Sequence, residues 1–239
     1  MTKESKHQIG AFFDVDKTIV DYNTMSGYYW YFHRNLYKGA PPLKRTVAGL
    51  AHMVRVTGTY LNLLRCAMKK DDRMTVNRHY YAALSGIDAG LYGSLIDEWY
   101  REAGILEKIY GQVGTVIRNH QRQGHRVVLV SGSHLPLIEP LGKALQVDEI
   151  LATEVEVKGT VFTGKIRNEL PMVGEGKARA IRRYAQRNGI DLSSSYAYSD
   201  HISDLKMLET VGNPCAVIGD MKLDEYARKR SWQIITTGC

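Results

Sequence analysis

The chain begins with a short apolar run, Ile9 to Phe13, that stops abruptly at Asp14-Val-Asp16-Lys-Thr18. An aromatic-rich run of that length, bounded by polar residues, predicts a buried strand with two acids at its carboxyl end. After Val20 the pattern turns helical and aromatic, with Tyr28, Tyr29, Trp30, Tyr31, Phe32 and Tyr37, and it breaks at Pro41-Pro42. Leu43 to Met68 then reads as one or two helices, Thr75 to Leu84 as another and Leu91 to Arg101 as a further one. Residues 21–104 therefore predict a helical insert without strands.

From Leu106 the two patterns alternate. A helix runs to Gln123, and a buried strand, Arg126 to Val130, ends at Ser131-Gly132-Ser133. A helix over Pro136 to Leu145 and a strand over Glu149 to Ala152 follow, and Glu154 to Ile166 alternates about Lys158-Gly159 as a hairpin does. Then come a helix from Gly176 to Asn188, a strand from Tyr196 to Ser199, a helix through Leu208 and a strand from Ala216 to Ile218. A helix from Leu223 to Arg230 and a last strand from Trp232 to Ile235 complete the pattern. Strands alternating with helices predict an α/β core with a mostly parallel sheet, helices on both faces. That core is formed by residues 1–20 and 105–239, with the helical insert after its first strand.

Composition narrows the class. With 239 residues, 44% hydrophobic and 24% charged, the chain has the balance of a soluble globular protein with a sizeable core. No apolar run reaches the roughly 18 residues of a membrane span, and the polar N-terminus has no signal-peptide core. Cys66, Cys215 and Cys239 are odd in number and lack metal-ligand spacing, which predicts a reducing cytoplasm and no disulfide framework. The net charge of +7 favours anionic partners. Arg179, Arg182, Arg183 and Arg187 share one helical face, and Lys222, Arg228, Lys229 and Arg230 another. Without a nucleic-acid module beside them these predict solvated faces, and no nucleic-acid partner.

Each polar cluster falls at the carboxyl end of a predicted strand: Asp14 and Asp16 after the first, Ser131 after the second, Asp200 and Asp204 after a later one. Lys177 opens a helix within Gly174-Glu-Gly-Lys-Ala. In a right-handed parallel sheet those ends share one edge. Several carboxylates there attract a hard divalent cation such as Mg2+, which also binds phosphate oxygens. A hydroxyl and an ammonium opposite them neutralise a phosphoryl group in flight. The group predicts a phosphoryl-transfer site.

Asp14-Val-Asp-Lys-Thr18, Ser131, Lys177 and Ser199-Asp-His-Ile-Ser-Asp204 resemble, in order and context, the four motifs of the haloacid dehalogenase-like (HAD) phosphatases. The insert after the first motif looks like the cap of the subfamily that contains phosphoserine phosphatase. The resemblance spans Ile9 to Ile235 and implies a Rossmann-like core with a helical C1-type cap. It implies Asp14 as nucleophile and Asp16 as the acid and base. It makes Asp14, Asp200 and the Asp16 backbone carbonyl ligands of Mg2+. Ser131, with the amides of Gly132 and Val15, is implied to donate to the phosphoryl oxygens, joined by Lys177 and Thr18. Asp204 is implied to hold metal-bound water or to orient Lys177. Ser199 stands where the family usually has glycine. Ser133 and His134 are expected to cap the next helix, and His134 and His201 are candidates for touching substrate.

Substrate choice in this family looks to be set by the cap. Phosphoserine phosphatases carry a glutamate where this chain has Asn23, and Asp21 is a shorter carboxylate two residues away. Phosphoserine is therefore not the favoured substrate. Arg73 and Arg78 are candidates for gripping a second anionic group. The Tyr28 to Phe32 cluster has three readings: packing core of the cap, a wall for a flat or sugar-like leaving group, or a surface for a phospholipid-like substrate with His33, Arg34, Lys38, Lys44 and Arg45. The expectation is a cytoplasmic, Mg2+-dependent phosphatase, monomer or homodimer, acting on a small phosphorylated metabolite through an aspartyl-phosphate. The alternatives are a lysophospholipid or phosphatidylglycerophosphate-type phosphatase at a membrane surface, a phosphotransferase, and a non-catalytic module that binds a phosphorylated ligand.

Overall fold

Strand β1, Gly10–Phe13, is wholly buried, and its alternation supplies both faces of the core. Ala11 and Phe13 enter one apolar cluster and Phe12 enters the other. This is the signature of a strand covered on both sides. The computed structural model describes residues 8–36, 38, 58 and 73–237. Apart from Gly58, the helices expected over Leu43 to Met68 lie outside the described residues, as do Tyr37, the Pro41-Pro42 break, Cys66 and Cys239.

Strand β2 (Arg126–His134) pairs with β1 in parallel, Gly10 opposite Arg126, and β3 (Glu149–Thr153) pairs with β2. On the other side of β1 stand β6 (Tyr196–Ser199), β7 (Asn213–Val217) and β8 (Gln233–Ile235), again parallel. The sheet order is β3-β2-β1-β6-β7-β8, so the chain reverses its direction of travel between β1 and β6. Crevices at such a reversal, beyond the carboxyl ends of the strands, are where α/β sheets take ligands.

Helices α5 (Gly111–Arg122) and α6 (Leu135–Leu145) contribute to the Phe13 face, with Val113, Ile117, Leu137 and Leu141 in its cluster. The Phe12 face gathers α7 (Glu175–Asn188), α8 (Leu205–Leu208) and α9 (Met221–Lys229). The insert supplies α1 (Thr24–Asn35), α2 (Arg73–Ala82), α3 (Ala89–Ser94) and α4 (Ile96–Ala103). Tyr28, Tyr29, Tyr31 and Phe32 are buried in the same cluster as Phe13, Val15 and Ile19, so insert and sheet share apolar packing. Only Trp30 of that run faces solvent, at 53% exposure, which supports the packing reading over an exposed aromatic face.

Four sequence expectations change. The helix from Leu106 to Gln123 is interrupted: a single 3-10 turn, Leu106–Lys108, precedes α5. Ile109 pairs antiparallel with Val20 and Tyr110 N–H donates to Ile19 O at 2.9 Å, so the two chain crossings between insert and core bind each other. The Leu91 to Arg101 helix is two helices, parted at Leu95. β2 runs four residues past Val130, to His134, carrying Ser131 and Ser133 inside the strand. β7 begins at Asn213 despite Pro214, because Asn213 N–H already bonds Ser195 O at 3.0 Å before the proline interrupts the donors.

The expected hairpin is present as β4 (Val155–Lys158) and β5 (Val161–Ile166), turning at Gly159 with φ +64°. It has a second role, as a ledge for the insert. Gly86 N–H donates to Phe162 O, Phe162 N–H to Ile87 O and Ala89 N–H to Thr160 O, at 2.8, 2.9 and 2.8 Å.

Candidate active site

The loop after β1 is a tight turn. Asp14 N–H donates to Tyr198 O of β6 at 2.9 Å, and the amides of Thr18 and Ile19 close back on Val15 O at 3.2 and 2.8 Å. Lys17 takes φ +62° there, a conformation glycine adopts more freely, and its ammonium pairs with Asp21 at 2.6 Å.

Buried Lys177 reaches Asp14 from the opposite wall. Its Nζ lies 2.5 Å from Asp14 Oδ1 and 2.7 Å from Asp204 Oδ2. Burial opposes the ammonium, but the two carboxylates outweigh burial and hold it protonated, above the ordinary lysine value. Its position depends on Gly176, where a Cβ would stand 1.9 Å from Pro171 O. Only glycine lets α7 begin that close to the preceding loop. Asp204 also receives Ser199 Oγ at 2.9 Å, so the hydroxyl that departs from the family's usual glycine secures this acid.

Thr18 Oγ1 lies 3.0 Å from both Asp14 Oδ2 and Asp200 Oδ1, and accepts from Asp200 N–H at 3.0 Å. It is fully buried and does not line the cavity, so it braces the two carboxylates rather than reaching a phosphate. One hydroxyl proton serves only one of those oxygens at a time. Burial raises Asp14 to about 6, with Asp204 and Asp200 adding and Lys177 opposing. Burial likewise raises Asp200. This donor set, two carboxylates converging on one proton, fits a hard divalent cation. Mg2+ takes one or two carboxylates and keeps several waters, so it needs no cage of protein ligands. Among the described residues no such cage of three or more His, Cys, Asp or Glu occurs.

Asp16 is held at the start of α1. Its Oδ1 accepts from Thr24 N–H at 3.1 Å and Thr24 Oγ1 at 2.7 Å, and its Oδ2 accepts from Ser133 Oγ at 3.2 Å. Burial, with the charge of Asp14 adding, raises its carboxyl to about 6. Ser131 Oγ accepts from Ser133 N–H at 3.1 Å, which leaves its own proton for another acceptor.

Between core and insert these groups line an open cavity of about 280 Å³. Asp14, Asp16, Ser131, Gly132, Lys177, Asp200 and Asp204 line it from the core. Asn23, Arg73 and Asn77 line it from the insert, and Arg73 also donates to Ser203 Oγ at 3.2 Å. Asn23 caps α1, its Oδ1 accepting from Ser26 N–H at 2.9 Å.

Four sequence candidates, Asp21, Arg78, His134 and His201, lie elsewhere. Asp21 is exposed and held by Lys17, and Arg78 is exposed; neither lines the cavity. His134 is buried among Tyr81, Tyr92 and Phe162, and burial lowers it to about 4. Neither Ser133 nor His134 caps α6 by a side-chain hydrogen bond, because Ser133 is engaged with Asp16 and Thr24. His201 accepts from Ser203 N–H at 3.0 Å and stands 3.7 Å from Asp220. Sequence reading missed Thr24, Asn77 and Tyr81. Thr24 carried a local signal, a hydroxyl at a helix start eight residues after an acid. Asn77 and Tyr81, which meet the core only through the fold, had none.

The profile of the haloacid dehalogenase-like hydrolases matches residues 11–209. A protein of Streptomyces azureus named for inhibition of morphological differentiation is 34% identical over 228 residues, covering 94% of this chain and 77% of that protein. A phosphoserine phosphatase of Mycobacterium tuberculosis is 30% identical over 224 residues, covering 94% of this chain and 69% of that protein. A crystal structure of a Bordetella pertussis protein of unknown function shares the fold, with TM-score 0.80 and 22% identity over 98% of this chain and all of that one. With its parallel sheet, its carboxylates at the carboxyl ends of the strands and that family match, the chain belongs to the haloacid dehalogenase-like hydrolases.

Proposed function

We propose that the chain is a Mg2+-dependent phosphomonoesterase that carries the phosphoryl group transiently on Asp14. The observation behind this reading is the convergence of Asp14, Lys177 and Asp204, with Thr18 bridging Asp14 to Asp200, at one sheet edge. A carboxylate oxygen of Asp14 attacks phosphorus as the ester P–O bond breaks, and Asp16 gives its proton to the departing alkoxide. Asp16 then takes a proton from the water that attacks the aspartyl-phosphate, which releases inorganic phosphate and restores Asp14. A carboxyl near 6 suits both duties. Lys177 and the Ser131 hydroxyl stabilise the phosphoryl oxygens. Asp14, Asp200 and the Asp16 carbonyl would hold Mg2+, which when bound shields the negative charge between carboxylate and phosphate.

The substrate is a small phosphorylated metabolite. The cavity is about 280 Å³, near the lower end of ligand pockets. Arg73, which lines it, is suited to a second anionic group. The relative that acts on phosphoserine supports this class, while Asn23, a neutral helix cap here, is not the acidic partner expected for a substrate amine. No helix among the described residues is long and apolar enough to cross a membrane.

The test is inorganic phosphate release from a panel of phosphomonoesters with and without Mg2+. Release should require the metal and fall on the order of 10³-fold or more in Asp14→Asn. Release that survives chelation and the substitution would refute the reading.

A further inference from the structure

We infer that Tyr81, on α2 of the insert, is a positioning residue for this reaction, acting through the Gly132 carbonyl on Ser131 and Asp16. The inference rests on the phosphatase reading. The Tyr81 hydroxyl donates to Gly132 O at 2.7 Å, and Asn77 Nδ2, one turn earlier on the same helix, donates to that oxygen at 3.1 Å. Thr153 Oγ1 of β3 adds a third donor at 2.9 Å. A carbonyl oxygen has two lone pairs, so three donors saturate it. Because the peptide unit is planar, they fix the orientation of the whole Gly132–Ser133 link.

That link faces the site with its other end. The Ser133 N–H donates to Ser131 Oγ at 3.1 Å, which sets the hydroxyl proposed to meet the phosphate. The Ser133 side chain stands 3.2 Å from Asp16 Oδ2 and 2.7 Å from Thr24 Oγ1, which sets the acid proposed to move the proton. One peptide therefore orients both groups. Two of the three donors that hold it come from the insert, 51 and 55 residues away in sequence. Tyr81 is fully buried and does not line the cavity, so it acts on the reaction only through this peptide.

Tyr80 supplies the contrast. It is the adjacent residue on the same helix and is also buried, but its hydroxyl donates to Met25 O, inside the insert, at 2.8 Å. Removing either hydroxyl deletes one tyrosine-to-carbonyl hydrogen bond from the same helix. Met25 lines the cavity too, but the Tyr80 bond ends on the Met25–Ser26 peptide, whereas the Tyr81 bond ends on the Gly132–Ser133 peptide that orients Ser131 and Asp16.

Tyr81→Phe and Tyr80→Phe are compared with wild type for kcat and KM on the best phosphomonoester, and for inorganic phosphate binding by calorimetry. Tyr81→Phe should lower kcat/KM by about five- to tenfold, with the larger part in kcat and the smaller part in a raised KM, the effect of one lost hydrogen bond. It should weaken phosphate binding, while Tyr80→Phe keeps wild-type kcat and phosphate affinity. Wild-type kcat in Tyr81→Phe, or an equal loss in Tyr80→Phe, would overturn the inference. If the wild type releases no phosphate from any ester, the phosphatase reading fails instead. Phosphate binding then still decides Tyr81, with equal affinity in both variants counting against it.

Discussion

At the scale of single residues, the site holds acids where the fold disfavours their charge. Asp16 is raised to about 6, from burial first and Asp14 second. A group whose folded value lies above its unfolded one stabilises the fold at low pH, and that contribution is lost as pH rises from the unfolded value of 3.8 through about 6. Above that window the ionised Asp16 is a strain on the native state. Asp16→Asn keeps the acceptor for Thr24 and removes the charge. Without divalent cations, its Tm at about pH 7.5 should exceed that of wild type by roughly 2–4 °C, for about 1 kcal/mol in a chain of this size, and the gap should close near pH 4. A lower Tm in the variant would contradict this account of the site. The acids themselves were legible in the sequence, because Asp14 and Asp200 directly follow strand-like runs and Asp16 and Asp204 lie two and four residues after those acids. Thr18 was legible as a residue but not as a brace between two carboxylates, since its second partner is 182 positions away.

At the scale of elements, the insert is joined to the core by more than its two linkers. The Gly86 to Ala89 segment is hydrogen-bonded to the β4–β5 hairpin through backbone groups. Gly164 makes this approach feasible: it has φ +80°, and a Cβ there would stand 3.0 Å from Ala82 O and from Ser85 Cβ. Gly164→Ala combines a left-handed backbone with a clash at the end of α2. It should destabilise the protein by on the order of 1–3 kcal/mol and speed amide hydrogen exchange at Gly86 and Phe162. Exchange at those amides unchanged from wild type would show that the ledge does not depend on Gly164. None of this pairing was readable from periodicity, because residues 84–89 carry no strand pattern and borrow their geometry from the hairpin. For the same reason the helix over Leu106 to Gln123 was read as continuous. Local pattern favours helix there, and the pairing of Ile109 with Val20 overrides it.

At the scale of the molecule, the alternation of strand and helix was enough to foresee a parallel α/β core, because every buried strand is a short apolar run ending in polar residues. The depth at which the insert merges with that core was not. Tyr28, Trp99 and Leu137 share a cluster with Phe13, and His134 is enclosed among insert and hairpin aromatics. Burial lowers His134 to about 4, below the ordinary 6.5. Its neutral form is accommodated above 6.5, and the associated stability is lost as pH falls through that value toward 4. Asp14 and Asp16 act with the opposite sign over nearly the same range, so the comparison between variants carries the test. Denaturant midpoints of His134→Phe should gain on wild type as pH falls from 6.5 to 4, and a gap independent of pH would contradict the burial of a neutral ring. The basic helix face resolves into exposed ion pairs. Arg179 and Arg183 meet Glu169, and Arg179 and Arg182 meet Glu175. Such pairs are screened by solvent and add little stability. They support the reading of a solvated surface.

The most direct measurement asks whether phosphorus becomes bonded to Asp14. Wild-type protein turning over a phosphomonoester with Mg2+ is quenched, reduced with borohydride and digested for mass spectrometry. An aspartyl-phosphate reduces to homoserine, so the account predicts homoserine at position 14, dependent on both ester and metal and absent from Asp14→Asn. Steady release of phosphate with an unaltered aspartate at position 14 would contradict the covalent route.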